Sequence, residues 1–266
     1  MDTTRIPPAP ILAVDHDGNG DLVVFLHGIG GNRTNWRDQI EALSDHYLAA
    51  AIDCRGWGES EDYDGPLRVD DMVADVLRVM DHFGAARAHI VGLSMGGMVA
   101  QHLWFRHPER VRSLALCDTS PGLAQSHTPA ERAQFLALRQ KPLLEGRTPA
   151  EIAPDVARTL AGSAATPESM RHLIESLSAL HPQSYLKALE TITFHAAAGE
   201  IDTISVPCLL IVGADDRLTP PPIHAAMRTR IAGSKLVVLP GAGHLSNIEA
   251  PAAFNQALRT FLDAVA

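Results

Sequence analysis

Cysteine is scarce in this chain, three in 266 residues, and Cys54, Cys117 and Cys208 never stand in a C-x-x-C spacing. An odd number of thiols in or beside apolar, strand-like runs reads as buried free cysteines, which excludes a disulfide framework or a redox pair. Histidine is more plentiful, but no H-E-x-x-H occurs, and His102 and His107 are spaced so that their rings do not share a helical face. No metal site is expected. Long apolar runs are missing as well. Nothing approaches the roughly 18 residues a membrane span needs, and Met1 to Pro10 hold no apolar stretch ahead of a small-residue cleavage site. The expectation is a cytoplasmic protein with no membrane partner. Basic charge is the minority, 22 Lys and Arg against 31 Asp and Glu for a net −9, and no cationic run tracks phosphates. Nucleic acid is therefore not an expected partner, and anionic substrates gain no long-range steering.

What is present is a globular composition, 46% apolar and 20% charged, in a length that fits one large α/β unit. Short apolar runs bounded by turn residues alternate with helix-period segments, the rhythm of parallel βαβ units. The runs fall at 21–26, 47–52, 88–91, 113–116, 207–212 and 235–239, with helices near 34–43, 70–83, 95–106, 221–231 and 249–264. Ile11 to Val14 add an antiparallel edge strand whose turn lies in Asp17-Gly18-Asn19-Gly20.

The rhythm breaks between Gly122 and Gly199. There Thr128-Pro129-Ala130-Glu131 and Thr148-Pro149-Ala150-Glu151 each supply an N-cap threonine, a first-turn proline and a glutamate at N3. Thr166-Pro167-Glu168 is a partial copy, and His181-Pro182 opens a fourth helix. The expected organisation is an α/β core of residues 1–121 and 199–266 with a helical cap over 122–198. A cap there would sit where open α/β sheets bind ligands, beyond the carboxyl ends of the strands. Its aromatics are Phe135, Tyr185 and Phe194, which points to an aliphatic-lined pocket.

Gly92-Leu93-Ser94-Met95-Gly96 follows a strand and opens a helix, the context of a nucleophile elbow. A serine held there projects Oγ at a helix N-terminus, and the next amide, that of Met95, faces a developing oxyanion. A serine hydroxyl needs a base that titrates near neutrality, and that base needs an orienting group. His244, in the glycine-rich loop after the last strand, supplies the first. Asp216, deeper than Asp215 in the turn before Thr219-Pro220, supplies the second, with Asp118 at the end of another strand as its rival. The loop His27-Gly28-Ile29-Gly30-Gly31 offers the Ile29 amide as a second oxyanion donor, and Asp53 to Ser60 reads as a structural turn network.

Together, His27-Gly28, the D-x-R-G-x-G-x-S of 53–60, the G-x-S-x-G-G of 92–97, the G-x-x-D-x-x-T-P of 213–220 and Gly243-His244 resemble the α/β-hydrolase superfamily along nearly the whole chain. The resemblance implies an α/β-hydrolase fold, a mostly parallel sheet flanked by helices with a helical cap insertion, and a triad of Ser94, Asp216 and His244. Serine at the elbow separates the chain from the dehalogenases and epoxide hydrolases of that superfamily, which carry aspartate there. Residues 92–101, 107–111 and 243–251 look most like the 3-oxoadipate enol-lactonase and carboxylesterase branch, with a departure at His27-Gly28, where enol-lactonases carry Asn-Ser. The expected activity is cofactor-free hydrolysis of a small to medium carboxylic ester or lactone through an acyl-enzyme on Ser94. The alternatives are hydrolysis of a C–C bond in a ring-fission product, or a non-catalytic ligand receptor on the same fold.

Overall fold

The structure, a computed structural model, describes residues 1–122, 128–195 and 201–265. Eight strands form one sheet: β1 (Asp2–Ile6), β2 (Leu12–Asp17), β3 (Asp21–Leu26), β4 (Tyr47–Ile52), β5 (Ala88–Leu93), β6 (Val111–Cys117), β7 (Cys208–Gly213) and β8 (Lys235–Leu239). Their spatial order is β1-β2-β4-β3-β5-β6-β7-β8, antiparallel at β1-β2 and β2-β4 and parallel from β4 onward. Runs buried on both faces, such as Cys208 to Gly213, belong to such a parallel sheet covered by helices. From β3 the chain builds outward first to β4 and then, on the other side, to β5. The carboxyl ends of β3 and β5 therefore flank a topological switch point, where a crevice opens.

The first strand is unexpected from the sequence, because Asp2 to Ile6 is short and mostly exposed and carries little apolar pattern. It moves β2 off the edge. β2 also pairs with β4 and not with β3: the Asp17 to Gly20 turn steps over β4, with Gly18 at φ 85° and Gly20 at φ 107°. A Cβ on Gly18 would stand 2.3 Å from the Tyr47 carbonyl oxygen, so the crossing lies directly on the start of β4.

Covering helices are α1 (Arg37–Leu43), α2 (Val69–His82) and α3 (Met95–Arg106), then, between β6 and β7, α4 (Pro129–Leu144), α5 (Pro149–Leu160), α6 (Pro167–Ser178) and α7 (Pro182–Phe194), and finally α8 (Pro221–Arg230), α9 (Ser246–Glu249) and α10 (Pro251–Asp263). The expected helix at 34–43 is a 3-10 turn, Arg33–Trp36, running into α1, and the expected C-terminal helix is split at Ala250 ahead of Pro251. Thr128, Thr148 and Thr166 all close capping boxes, the third through Ser169 instead of an acidic side chain. The expected domain boundary at 198/199 lies outside the described residues.

A buried ion cluster ties the first strands to the loops at their ends. Arg33 Nε lies 2.8 Å from Asp15 Oδ1, its Nη1 pairs with Asp53, and its backbone N–H donates to Asp53 Oδ1 at 2.7 Å. Asp53 is fully buried and Asp15 nearly so. Removing the cation would leave two carboxylates in low dielectric, so Arg33→Leu is expected to lower unfolding free energy by about 3–5 kcal/mol. Urea unfolding of the two proteins, compared by midpoint and slope, checks this.

Candidate active site

The elbow follows from the backbone. β5 ends at Leu93, and Ser94 takes φ 54° and ψ −114°, a conformation an L-residue holds only where its surroundings impose it. Those surroundings leave no room for a Cβ on either side. On Gly92 it would meet the Gly96 carbonyl oxygen at 2.3 Å, and on Gly96 the Leu26 carbonyl oxygen at 2.1 Å. The turn is held by Ser94 N–H donating to the Cys117 carbonyl at 2.9 Å and by Thr119 Oγ1 donating to the Ser94 carbonyl at 2.7 Å.

Two loops at neighbouring strand ends bring the other residues. His244 Nε2 stands 3.0 Å from Ser94 Oγ, and its Nδ1 stands 2.9 Å from Asp216 Oδ2. Asp216 is held in turn: Oδ1 accepts from the N–H groups of Leu218 and Thr219 at 2.8 and 3.1 Å, and Oδ2 accepts from Thr219 Oγ1 at 2.7 Å. Burial would push the Asp216 carboxyl up, but the His244 ring and the Thr219 bonds outweigh it and hold it well below the usual carboxylate range. For His244 burial acts downward, and the charge and hydrogen bond of Asp216 outweigh it, leaving the imidazole above its ordinary value.

The rival acid is engaged elsewhere. Asp118 accepts from the Gly213 N–H at 2.8 Å and from Ser246 Oγ, and complete burial next to the Asp216 charge pushes it up to about 8. Asp215 bonds the backbone and hydroxyl of Ser163. The geometry thus brings together Ser94, Asp216 and His244 and leaves both alternative aspartates out.

Met95 is the first residue of α3, where an amide has no acceptor within its own helix. Ile29 is fixed less directly. The Gly28 carbonyl accepts from Gly31 N–H at 2.9 Å and lies 2.7 Å from His27 Nδ1, while His27 Nε2 accepts from Cys54 N–H at 3.0 Å. That second bond assigns the ring proton to Nδ1, and burial keeps the ring below its usual pKa and neutral. Because the peptide is planar and trans, anchoring the Gly28 oxygen also directs the Ile29 N–H to the opposite side. Trp57 Nε1 donates to the Ile29 carbonyl at 3.0 Å and fixes the next peptide. The sequence reading missed these supports, His27 and Trp57, although both stand inside the motifs it singled out.

Above Ser94 lies a cavity of about 200 Å³ walled by Leu93, Met98, Val156, Leu160, Leu177 and Leu189, with residues of α4–α7 facing the strand-end loops. Phe135 and Tyr185 also line it; Phe194 is exposed. Arg139 and Arg217 are its cationic members. Among the described residues no group of three or more His, Cys, Asp or Glu side chains could hold a metal, and no helix is long and apolar enough to cross a membrane.

Known proteins resemble the chain throughout. It is 30% identical over 247 residues to 3-oxoadipate enol-lactonase 2 of Acinetobacter baylyi, covering 90% of this chain and 88% of that one. It is 31% identical over 253 residues to a pimeloyl-[acyl-carrier protein] methyl ester esterase of Yersinia enterocolitica, covering 92% and 94%. A thermophilic esterase from Thermogutta terrifontis superposes with a TM-score of 0.90 at 28% identity, over 100% of this chain and 99% of the other. The family described as alpha/beta hydrolase fold matches residues 21–251, and the chain belongs to it.

Proposed function

We propose that the protein is a serine hydrolase that cleaves a small to medium carboxylic ester or lactone through an acyl-enzyme on Ser94. The observation that carries this reading is the unbroken line from Ser94 Oγ through His244 to Asp216, at 3.0 and 2.9 Å, at the floor of an apolar cavity. Ser94 Oγ attacks the carbonyl while His244 Nε2 takes its proton. Asp216 holds the Nδ1–H tautomer and stabilises the imidazolium. The Met95 and Ile29 amides receive the oxyanion. His244 then returns the proton to the leaving alkoxide, and a water activated by the same ring releases the acid. Residues 122–198 act as a cap whose helices shape the acyl pocket and keep bulk water from it.

A panel of p-nitrophenyl esters of increasing acyl length and several lactones, with fluorophosphonate labelling alongside, tests the reading. The expected result is saturable hydrolysis that peaks at short to medium acyl length or on one lactone ring, with stoichiometric labelling of Ser94. A folded protein that hydrolyses none of them and leaves Ser94 unlabelled would overturn it.

A further inference from the structure

One fully buried histidine has no part in the chemistry above. His224 lies in the first turn of α8, directly after the Thr219-Pro220 turn that holds Asp216. Its Nε2 accepts from the Thr119 N–H at 3.2 Å, which puts the proton of a neutral ring on Nδ1. Burial pushes the ring down to about 4 against the opposing pull of the Asp216 charge and of the Pro220 and Thr219 carbonyls. The imidazole is therefore uncharged, and Nε2 remains an acceptor, through the neutral range. Among the described residues Nδ1 has no hydrogen-bond partner. An apolar side chain at 224 would avoid that unpaired donor but would leave the Thr119 N–H without an acceptor. The sheet offers none there, because the pairing of β6 with β7 ends at Cys117 and Ile211. Thr119 is itself fully buried and supports the elbow. Its Oγ1 donates to the Ser94 carbonyl at 2.7 Å, and its side chain lies against Gly97, where a Cβ would meet Oγ1 at 2.6 Å. The ring thus joins the segment behind Ser94 to the helix start behind Asp216.

We propose that His224 is a positioning residue for the triad: its ring fixes Thr119, and through Thr119 the Ser94 carbonyl, at a set distance from the turn that carries Asp216. It does not line the cavity and acts only through these neighbours. This rests on the hydrolase reading above. Loss of the Nε2 acceptor then shifts Ser94 relative to His244 and Asp216 while leaving the acyl pocket as it is, so the effect falls on turnover and not on substrate binding.

The test measures kcat and KM on the best ester of the panel, and the rate of fluorophosphonate labelling, for wild type, His224→Leu, His224→Gln and Met227→Ala. Leucine removes the acceptor, whereas glutamine places an amide oxygen near the position of Nε2. Met227 is buried on the same helix and has no polar link to Thr119. His224→Leu is expected to lower kcat and the labelling rate together by about tenfold to hundredfold, with KM within about threefold of wild type. His224→Gln restores most of both rates. Met227→Ala lowers the urea midpoint through a lost core contact and keeps kcat within about threefold. Combined with Thr119→Val, which removes the bond to the Ser94 carbonyl, His224→Leu adds little further loss, because the two act along one line. If His224→Leu does not fold, His224→Asn, whose amide stops short of Thr119, replaces it with the same expected loss. A folded acceptor-free variant with wild-type kcat and labelling overturns the positioning role and leaves the hydrolase reading standing. So does a His224→Gln as slow as that variant, a Met227→Ala that loses kcat equally, or full additivity with Thr119→Val. A wild-type Ser94 that neither labels nor turns over any ester removes both.

Discussion

Ser94→Ala is expected to lower kcat/KM on the best ester of the panel by about 10⁴- to 10⁶-fold, some 5–8 kcal/mol of transition-state stabilisation. The substitution removes the proposed attacking atom and its hydrogen bond to His244 while leaving the Met95 and Ile29 amides and the cavity in place. Alanine carries a Cβ as serine does, so the strain of φ 54° at this position is neither relieved nor increased. Thermal unfolding should therefore be nearly unchanged, which separates lost chemistry from lost structure. Initial rates with both proteins, together with their unfolding transitions by circular dichroism, decide the matter. Full activity in Ser94→Ala would remove the nucleophile from the mechanism.

Asp216→Asn is expected to cost about 10⁴-fold in kcat, since a neutral amide neither stabilises the imidazolium nor enforces the Nδ1–H tautomer. A second effect has a definite sign. In the proposed mechanism His244 must be unprotonated to act as base, so kcat/KM is expected to fall as pH drops through its pKa, which Asp216 holds above the ordinary histidine value. Without the carboxylate that limb moves to lower pH. Asp118→Asn provides the contrast. With its carboxyl pushed up to about 8, Asp118 is largely neutral at pH 7, and asparagine tolerates the left-handed φ of 43° found there. Its activity at pH 7 should stay within about tenfold of wild type. Profiles of kcat/KM against pH for the two variants check both statements. Collapse in Asp118→Asn with a mild effect in Asp216→Asn would exchange the roles of the two acids.

Residues whose signal is local were readable in advance. Glycines at 92 and 96 mark a turn where no Cβ fits, and the Thr-Pro starts of α4, α5 and α6 mark their own helices. The order Ser94, Asp216, His244 along the chain, each just past a strand, pointed to three side chains that the fold brings within hydrogen-bond distance of one another. Features that depend on which segments meet were not readable. β2 pairs across to β4 because the sheet inserts β4 between β2 and β3, and nothing within 17–20 announces that insertion. Arg33 meets Asp15 and Asp53 only once three separate loops and strands are folded together. Arg139 looks like any solvated arginine on a helix until the cavity gives that helix a face.

The histidine loop and the connection between α5 and α6 are stitched along their main chains. His244 N–H donates to the Leu160 carbonyl and Ala164 N–H to the Gly241 carbonyl, each at 2.9 Å, while Glu249 accepts from Gly162 N–H at 2.7 Å and Gly243 N–H at 3.1 Å. These bonds tie the two segments to each other. The backbone that carries His244 is thereby anchored to the end of α5, so any displacement of α5 and α6 from the sheet would break bonds on the His244 loop itself. α4, whose Phe135, Leu136 and Leu143 are only half-buried, makes none of these bonds.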